Sequence, residues 1–170
     1  MSIIQKLFPS QANNDYRGSK IALYASYPIL AVLLFRSCVH FLKGDGGVNS
    51  IATIVKFAGT PDPNRVIYMF SSLWGSQQLL FVLLFIVILV RYRSLLPLLY
   101  TILVVEVIFR LVVGFLHPLT AEFYIRTPPG KAGNLPMLVV FTAMLLLSLR
   151  ERKVTPTNQE NAALPTEEVA

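Results

Sequence analysis

The chain has 170 residues, of which 54% are hydrophobic and only 14% are charged, and its formal net charge is +6. An ordinary soluble domain carries about 25% charged residues. The basic residues lie at the ends of apolar blocks and do not form one patch, which argues against nucleic-acid binding. The single cysteine, Cys38, excludes an intramolecular disulfide and a Cys-x-x-Cys redox site.

Four apolar blocks follow one another along the chain. A membrane span needs about 20 mostly apolar residues, and backbone groups in lipid must form their hydrogen bonds within the segment. Each block is therefore predicted to be a helix. The predicted fold class is all-α, a polytopic membrane four-helix bundle over residues 20–150, with spans at about 20–42, 66–90, 95–116 and 132–149.

The segment 48–58 separates the first two spans and has the pattern of a short amphipathic helix. Its apolar residues recur at helical spacing: Val48, Ile51, Ala52, Val55 and Ala58. Polar residues occupy the opposite side, so the pattern predicts an interfacial helix that lies flat at the membrane surface.

The polar segments outside the spans indicate an orientation. They comprise the N-terminal segment 1–19 and the tail 151–170, which is rich in Pro, Asn, Gln and Glu and is predicted to be disordered. Lys and Arg are more numerous in these two segments and in the turn 91–93 than in the other loops, which predicts that both termini are cytoplasmic. The expected location is the bacterial inner membrane, with multiple spans.

Polar residues inside three spans form a candidate ligand site. Ionisable groups in spans are costly and mark functional candidates. Arg36 and His40 are four residues apart in the first span, as are Glu106 and Arg110 in the third, so each pair lies on one helix face. Most of these groups fall between the midplane and the outer surface. The candidate ligand-binding residues are Arg36, His40, Trp74, Gln78, Glu106, Arg110 and His117.

The unequal number of in-span charges favours a ligand. If Glu106 pairs with Arg110, Arg36 has no acidic partner within the membrane, and an anionic group such as a lipid phosphate or a small carboxylate is its natural guest. The alternative interpretation is structural: Glu106 and Arg110 neutralise each other, Arg36 reaches outer headgroups, and Gln78 hydrogen-bonds between helices.

The stretch Glu106-Val107-Ile108-Phe109-Arg110-Leu111-Val112-Val113-Gly114 lies in a third span that follows an antiparallel hairpin with a short basic turn. This Glu-x-x-x-Arg-x-x-x-Gly pattern and the topology of residues 20–150 resemble small four-helix membrane proteins of the DoxX-like superfamily, especially members of unknown function. The resemblance implies a four-helix bundle and names no activity.

Three classes of function remain open. The first is a non-enzymatic membrane protein that binds a lipid or a small anionic or amphiphilic ligand, or that serves as an accessory subunit of a membrane complex. Its expected partners are membrane lipids, another membrane protein or a second copy of the chain, and no cofactor is expected. The second is an enzyme with sterol-isomerase-like acid–base chemistry on a lipophilic substrate, using Glu106 with His40 or His117. The third is a small transporter.

Overall fold

The computed structural model describes residues 2–151 and contains five α-helices in that range. Their bounds are α1 Ile3–Leu7, α2 Lys20–Leu42, α3 Asn64–Arg91, α4 Leu96–Leu116 and α5 Pro129–Leu149. Single 3-10 turns, Arg93–Leu95 and Ala121–Phe123, precede α4 and follow it. The tail predicted to be disordered lies outside the described residues from position 152 onward.

The four helices α2 to α5 are long and apolar enough to cross a membrane. Each has at least 21 residues, and a rise of 1.5 Å per residue gives about 30 Å or more, the thickness of the hydrocarbon layer. Large apolar side chains remain exposed on their outer faces, among them Val32, Phe35, Leu84, Phe109 and Val139. The predicted all-α fold with four candidate spans is confirmed, and it is compatible with a multi-pass integral membrane protein.

Prolines lie in the first turn of two helices. Pro97 occupies the first turn of α4, and Pro129 is the first residue of α5, directly after Pro128. The proline ring fixes φ near the helical value and removes an N–H that has no partner in the first turn. This explains why α5 starts at position 129, earlier than the expected start at 132.

Helices α2 and α3 pack closely together, as do α4 and α5, while looser contacts between α2 and α5 and between α3 and α4 close the ring. The apolar core contains Ala22 and Leu33 of α2, Val82, Phe85, Ile88 and Leu89 of α3, Leu96, Leu99, Tyr100, Leu103 and Val107 of α4, and Phe141 of α5. Between α2 and α4, the Tyr100 hydroxyl donates a hydrogen bond of 2.6 Å to the Ala22 carbonyl.

The two ends of the bundle differ in what covers them. At one end, here called the terminal end, the N-terminal segment binds the last turn of α5: the Ser19 N–H donates to the Leu147 carbonyl at 3.3 Å, and Lys6 Nζ donates to the Leu149 carbonyl at 2.8 Å. The opposite end, here called the loop end, carries the two long connections 43–63 and 117–128. Both ends of the described chain therefore lie on the same side of the bundle, as an even number of spans requires.

The interfacial helix predicted over 48–58 is not formed. This segment consists of turns and extended backbone, and it pairs with the second long connection. The Val55 N–H donates to the Phe123 carbonyl at 3.1 Å, and the Ile125 N–H donates to the Thr53 carbonyl at 2.8 Å. Because these backbone groups find partners about 70 residues away in sequence, the segment needs no helix to satisfy them.

The Asp45 carboxylate accepts two hydrogen bonds within the loop after α2. Asp45 Oδ1 accepts from the Gly47 N–H at 3.0 Å, and Oδ2 accepts from the Ser50 N–H at 2.8 Å. Partial burial of the Asp45 carboxyl raises its pKa, but hydrogen bonds from Ser50 and Gly47 outweigh this effect and lower the pKa below its ordinary value.

Acid should therefore open this loop. A carboxyl with a lowered pKa stabilises the folded loop above its unfolded pKa of about 3.9, and this stabilisation is lost as the pH falls further, through the folded pKa. We expect the Gly47 and Ser50 amides to lose protection from hydrogen exchange below about pH 4, after correction for the intrinsic exchange rate. Asp45→Asn should remove this dependence, and an unchanged acid response in that variant would contradict the assignment.

Candidate ligand site in the loop-end half of the bundle

Three charged side chains meet between α2 and α4. Glu106 lies at the middle of α4, with Oε2 2.9 Å from Arg110 Nη2 one turn later and Oε1 3.5 Å from Arg36 Nη2 of α2. The side chains of all three are largely shielded, with 32%, 16% and 21% of the Glu106, Arg110 and Arg36 side chains exposed. One carboxylate thus serves two guanidinium groups, and the cluster carries one excess positive charge.

This geometry corrects the expectation that Arg36 lacks an acidic partner. The predicted pairing of Glu106 with Arg110 is present, but the second carboxylate oxygen of Glu106 faces Arg36. The two contacts use the Nη2 atoms, while the buried Nε atoms of Arg36 and Arg110 have no hydrogen-bond partner among the described residues. Arg36 therefore does not need a negatively charged ligand as its only acidic partner. The unpartnered Nε atoms can still donate hydrogen bonds to a ligand.

Trp74 of α3 links the charged cluster to His40. The Arg36 guanidinium carbon lies 5.6 Å from the centre of the Trp74 ring, a distance at which the ring face attracts a cation. The His40 ring lies against the same indole, with 4.7 Å between ring centres. The side chains of Arg36 and His40, one turn apart on α2, are thus both held by a single residue of α3.

His40 also fastens the loop that follows α2. Its Nδ1 lies 2.7 Å from the Gly46 carbonyl oxygen, which also accepts a 2.7 Å hydrogen bond from the Ser71 hydroxyl of α3. Because a carbonyl oxygen only accepts, Nδ1 carries the proton. His40 is therefore engaged in anchoring the loop to the bundle.

Gln78 is a buried candidate residue in which both polar side-chain atoms are left without hydrogen-bond partners in the described chain. Its side chain is buried, with 9% of the residue exposed, and neither Oε1 nor Nε2 forms a hydrogen bond within residues 2–151. It lines a cavity of about 70 Å³ between α2, α3 and α4, together with Arg36 and Glu106. The remaining lining is mainly apolar: Leu33, Ser37, Phe81, Val82, Phe85, Ile102 and Leu103.

The structure gathers six of the seven candidate residues into a continuous set of neighbours: Arg36, His40, Trp74, Gln78, Glu106 and Arg110. His117, at the end of α4, is exposed and does not line the cavity. The sequence pattern places Ser71 one turn before Trp74 on the same stripe of the second span, but Ser71 was not among the predicted site residues. The apolar walls of the cavity were not predicted, because they resemble any other residues facing the core.

Comparison with known proteins adds no further constraint, since no family model, curated protein or solved structure matches this chain. The resemblance to the DoxX-like superfamily stays a prediction.

Proposed function

We propose that this chain is a non-enzymatic membrane protein that binds one anionic or acidic amphiphile in the cavity between α2, α3 and α4. Both termini lie in the cytoplasm of a bacterial cell, so the loop end faces outward. The polar head of the ligand contacts the side chains around the cavity, and its apolar part contacts the hydrocarbon-facing walls.

The observation that carries this proposal is the unpartnered amide of Gln78. Burying an amide without hydrogen bonds costs several kcal/mol in a fully apolar medium and roughly 1–3 kcal/mol in proteins. This residue lies beside the excess positive charge of the Arg36–Glu106–Arg110 cluster. An acidic head group has an oxygen that can accept from Gln78 Nε2 and Arg36 Nε, and in its protonated form it also has an O–H that can donate to Gln78 Oε1.

Acid–base catalysis has less support at this site. Glu106 is held between two arginines, and His40 is committed to the Gly46 carbonyl. A general acid or base must reach a substrate proton, and neither side chain is free to do so without giving up these contacts.

Removing the Arg36 charge tests the proposal. Arg36→Gln should reduce the amount of acidic amphiphile that co-purifies with the protein in mild detergent by roughly tenfold, since a hydrogen bond to a charged group contributes about 1.5–3 kcal/mol. Arg65→Gln, an equal change of charge at an exposed position at the start of α3, is the control. Lipid extraction and mass spectrometry measure the bound amount, and equal ligand content in both variants would refute the proposal.

A further inference from the structure

We infer that the ligand is a single-chain fatty acid, bound as the carboxylic acid, whose head group pairs with the Gln78 amide and whose chain leaves the bundle between α3 and α4. This inference rests on the proposed function and deepens it by naming the chemical class of ligand. Three features of the molecule carry it: the hydrogen-bonding pattern of Gln78, the depth of the cavity, and its apolar wall.

The Nε2 donor and the Oε1 acceptor of Gln78 are both unpartnered in the described chain, so the amide can still form two hydrogen bonds with a ligand that reaches it. A protonated carboxylic acid is the complementary group. Its carbonyl oxygen accepts from Nε2, and its O–H donates to Oε1, which closes a ring of two hydrogen bonds. The Arg36 Nε, also unpartnered, supplies a further donor to the carbonyl oxygen. An ionised phosphate diester has no hydrogen to give to Oε1.

The depth of the cavity also favours a head group that can become neutral. Gln78 lies about 21 Å along α3 from Asn64 and about 20 Å from Arg91, close to the middle of the helix. Removal from water at that depth disfavours the charged form of a head group, and the Glu106 carboxylate in the cavity lining also disfavours a second carboxylate beside it. A carboxyl group can take up a proton at moderate pH, whereas a phosphodiester of a membrane lipid stays charged.

The surroundings of the cavity fit one hydrocarbon chain. The cavity measures about 70 Å³, while one water needs only about 10–15 Å³ of such space, so a carboxyl head with the first part of a chain is accommodated. Val82, Phe85, Ile102 and Leu103 form an apolar wall. Phe81, at 52% exposure, marks where this wall meets the lipid side of the bundle. The looser packing between α3 and α4 gives the chain its exit.

Gln78→Leu provides the first test. The full chain, purified in mild detergent and stripped of lipid, is titrated with palmitic acid, methyl palmitate and phosphatidylglycerol. The wild type should bind palmitic acid more tightly than its methyl ester, which lacks the O–H donor. Gln78→Leu should weaken palmitic acid binding by roughly tenfold and leave the melting temperature of the ligand-free protein unchanged or higher, because leucine removes two unpartnered polar atoms. If Gln78 has only a structural role, Gln78→Leu should leave palmitic acid binding unchanged and should lower the melting temperature.

The exit between α3 and α4 is tested separately. Ile102→Trp should fill the wall and weaken palmitic acid binding without removing a polar contact. Leu98→Trp, one turn earlier on the same face of α4 and outside the cavity lining, is the matched control and should bind normally. Equal binding by the two variants would overturn the assigned path.

The outcomes separate the inference from the proposed function. Arg36-dependent binding of phosphatidylglycerol without binding of palmitic acid would overturn the fatty acid and leave the proposed function standing. Palmitic acid affinity that is unchanged in Gln78→Leu would likewise overturn the inference. If neither lipid depends on Arg36, both the inference and the proposed function fail.

Discussion

Replacing Glu106 with glutamine is expected to destabilise the protein by about 3 kcal/mol, because removing one partner of a buried ion pair leaves an uncompensated charge. Here the loss is compounded. Glu106 is the carboxylate partner of both Arg36 and Arg110, so the neutral variant brings two cations together in an apolar bundle. Thermal unfolding in mild detergent measures the effect. Glu122→Gln, in the exposed connection after α4, should change stability by no more than about 0.5 kcal/mol.

The interaction among the three charges gives a sharper test than the single variant. Arg110→Gln leaves one carboxylate facing one guanidinium, so its effect should be smaller than that of Glu106→Gln. The double variant Glu106→Gln/Arg110→Gln should be more stable than Glu106→Gln alone, because it removes one of the two unpaired cations. Residues in one ionic network depart from additivity by about 0.5–3 kcal/mol. Strict additivity of the two single changes would contradict the ion pair between Glu106 and Arg110.

The charged cluster and Gln78 place polar groups deep in an apolar bundle. An ion pair buried among apolar residues is often replaceable without loss of stability, and an unpartnered amide is a net cost. Stability alone therefore does not account for the Arg36–Gln78–Glu106 arrangement. A ligand that supplies the missing hydrogen bonds would account for it.

The long helices could be predicted because each depends on a local property of the sequence. An uninterrupted apolar block such as 79–90 must form a helix in lipid, because a helix satisfies the backbone hydrogen bonds within the segment. The helix predicted over 48–58 is not formed, and this difference also has a physical cause. Its apolar spacing suits a helix, but the backbone of Thr53 and Val55 pairs with residues 123–125. Pairing between segments that are distant in sequence leaves no signal in the local periodicity.

The candidate site could be predicted within each helix but not between helices. The Glu106–Arg110 pair follows from their spacing of four residues. The contact of Glu106 with Arg36 depends on how α2 and α4 are rotated about their axes, which packing of the whole bundle decides. For the same reason, the sequence could not tell whether the amide of Gln78 finds a partner or is left without one.

Gly75 was also missing from the sequence-based predictions, yet it lies where the backbones of α2 and α3 come close together. An ideal Cβ at this position would lie 2.5 Å from the Phe41 nitrogen and 2.7 Å from the carbonyl carbon of His40. Both are backbone atoms, so no side chain can rotate away to make room. In membrane bundles, small residues at helix crossings allow this kind of contact, and here it brings Trp74 against His40.

Gly75→Ala should therefore destabilise the protein by about 3 kcal/mol, at the upper end of the usual cost of overpacking, because α2 and α3 must move apart. Gly114→Ala in α4 is the matched control. A Cβ there meets no atom within 4 Å, and alanine is favoured over glycine in a helix interior by about 0.5–1 kcal/mol. Thermal unfolding of the two variants should thus shift in opposite directions.

Separation of α2 from α3 should also weaken the contact of Trp74 with His40 and change the tryptophan fluorescence, a change that Gly114→Ala should not produce. Equal melting temperatures and spectra would show that α2 and α3 do not meet at Gly75.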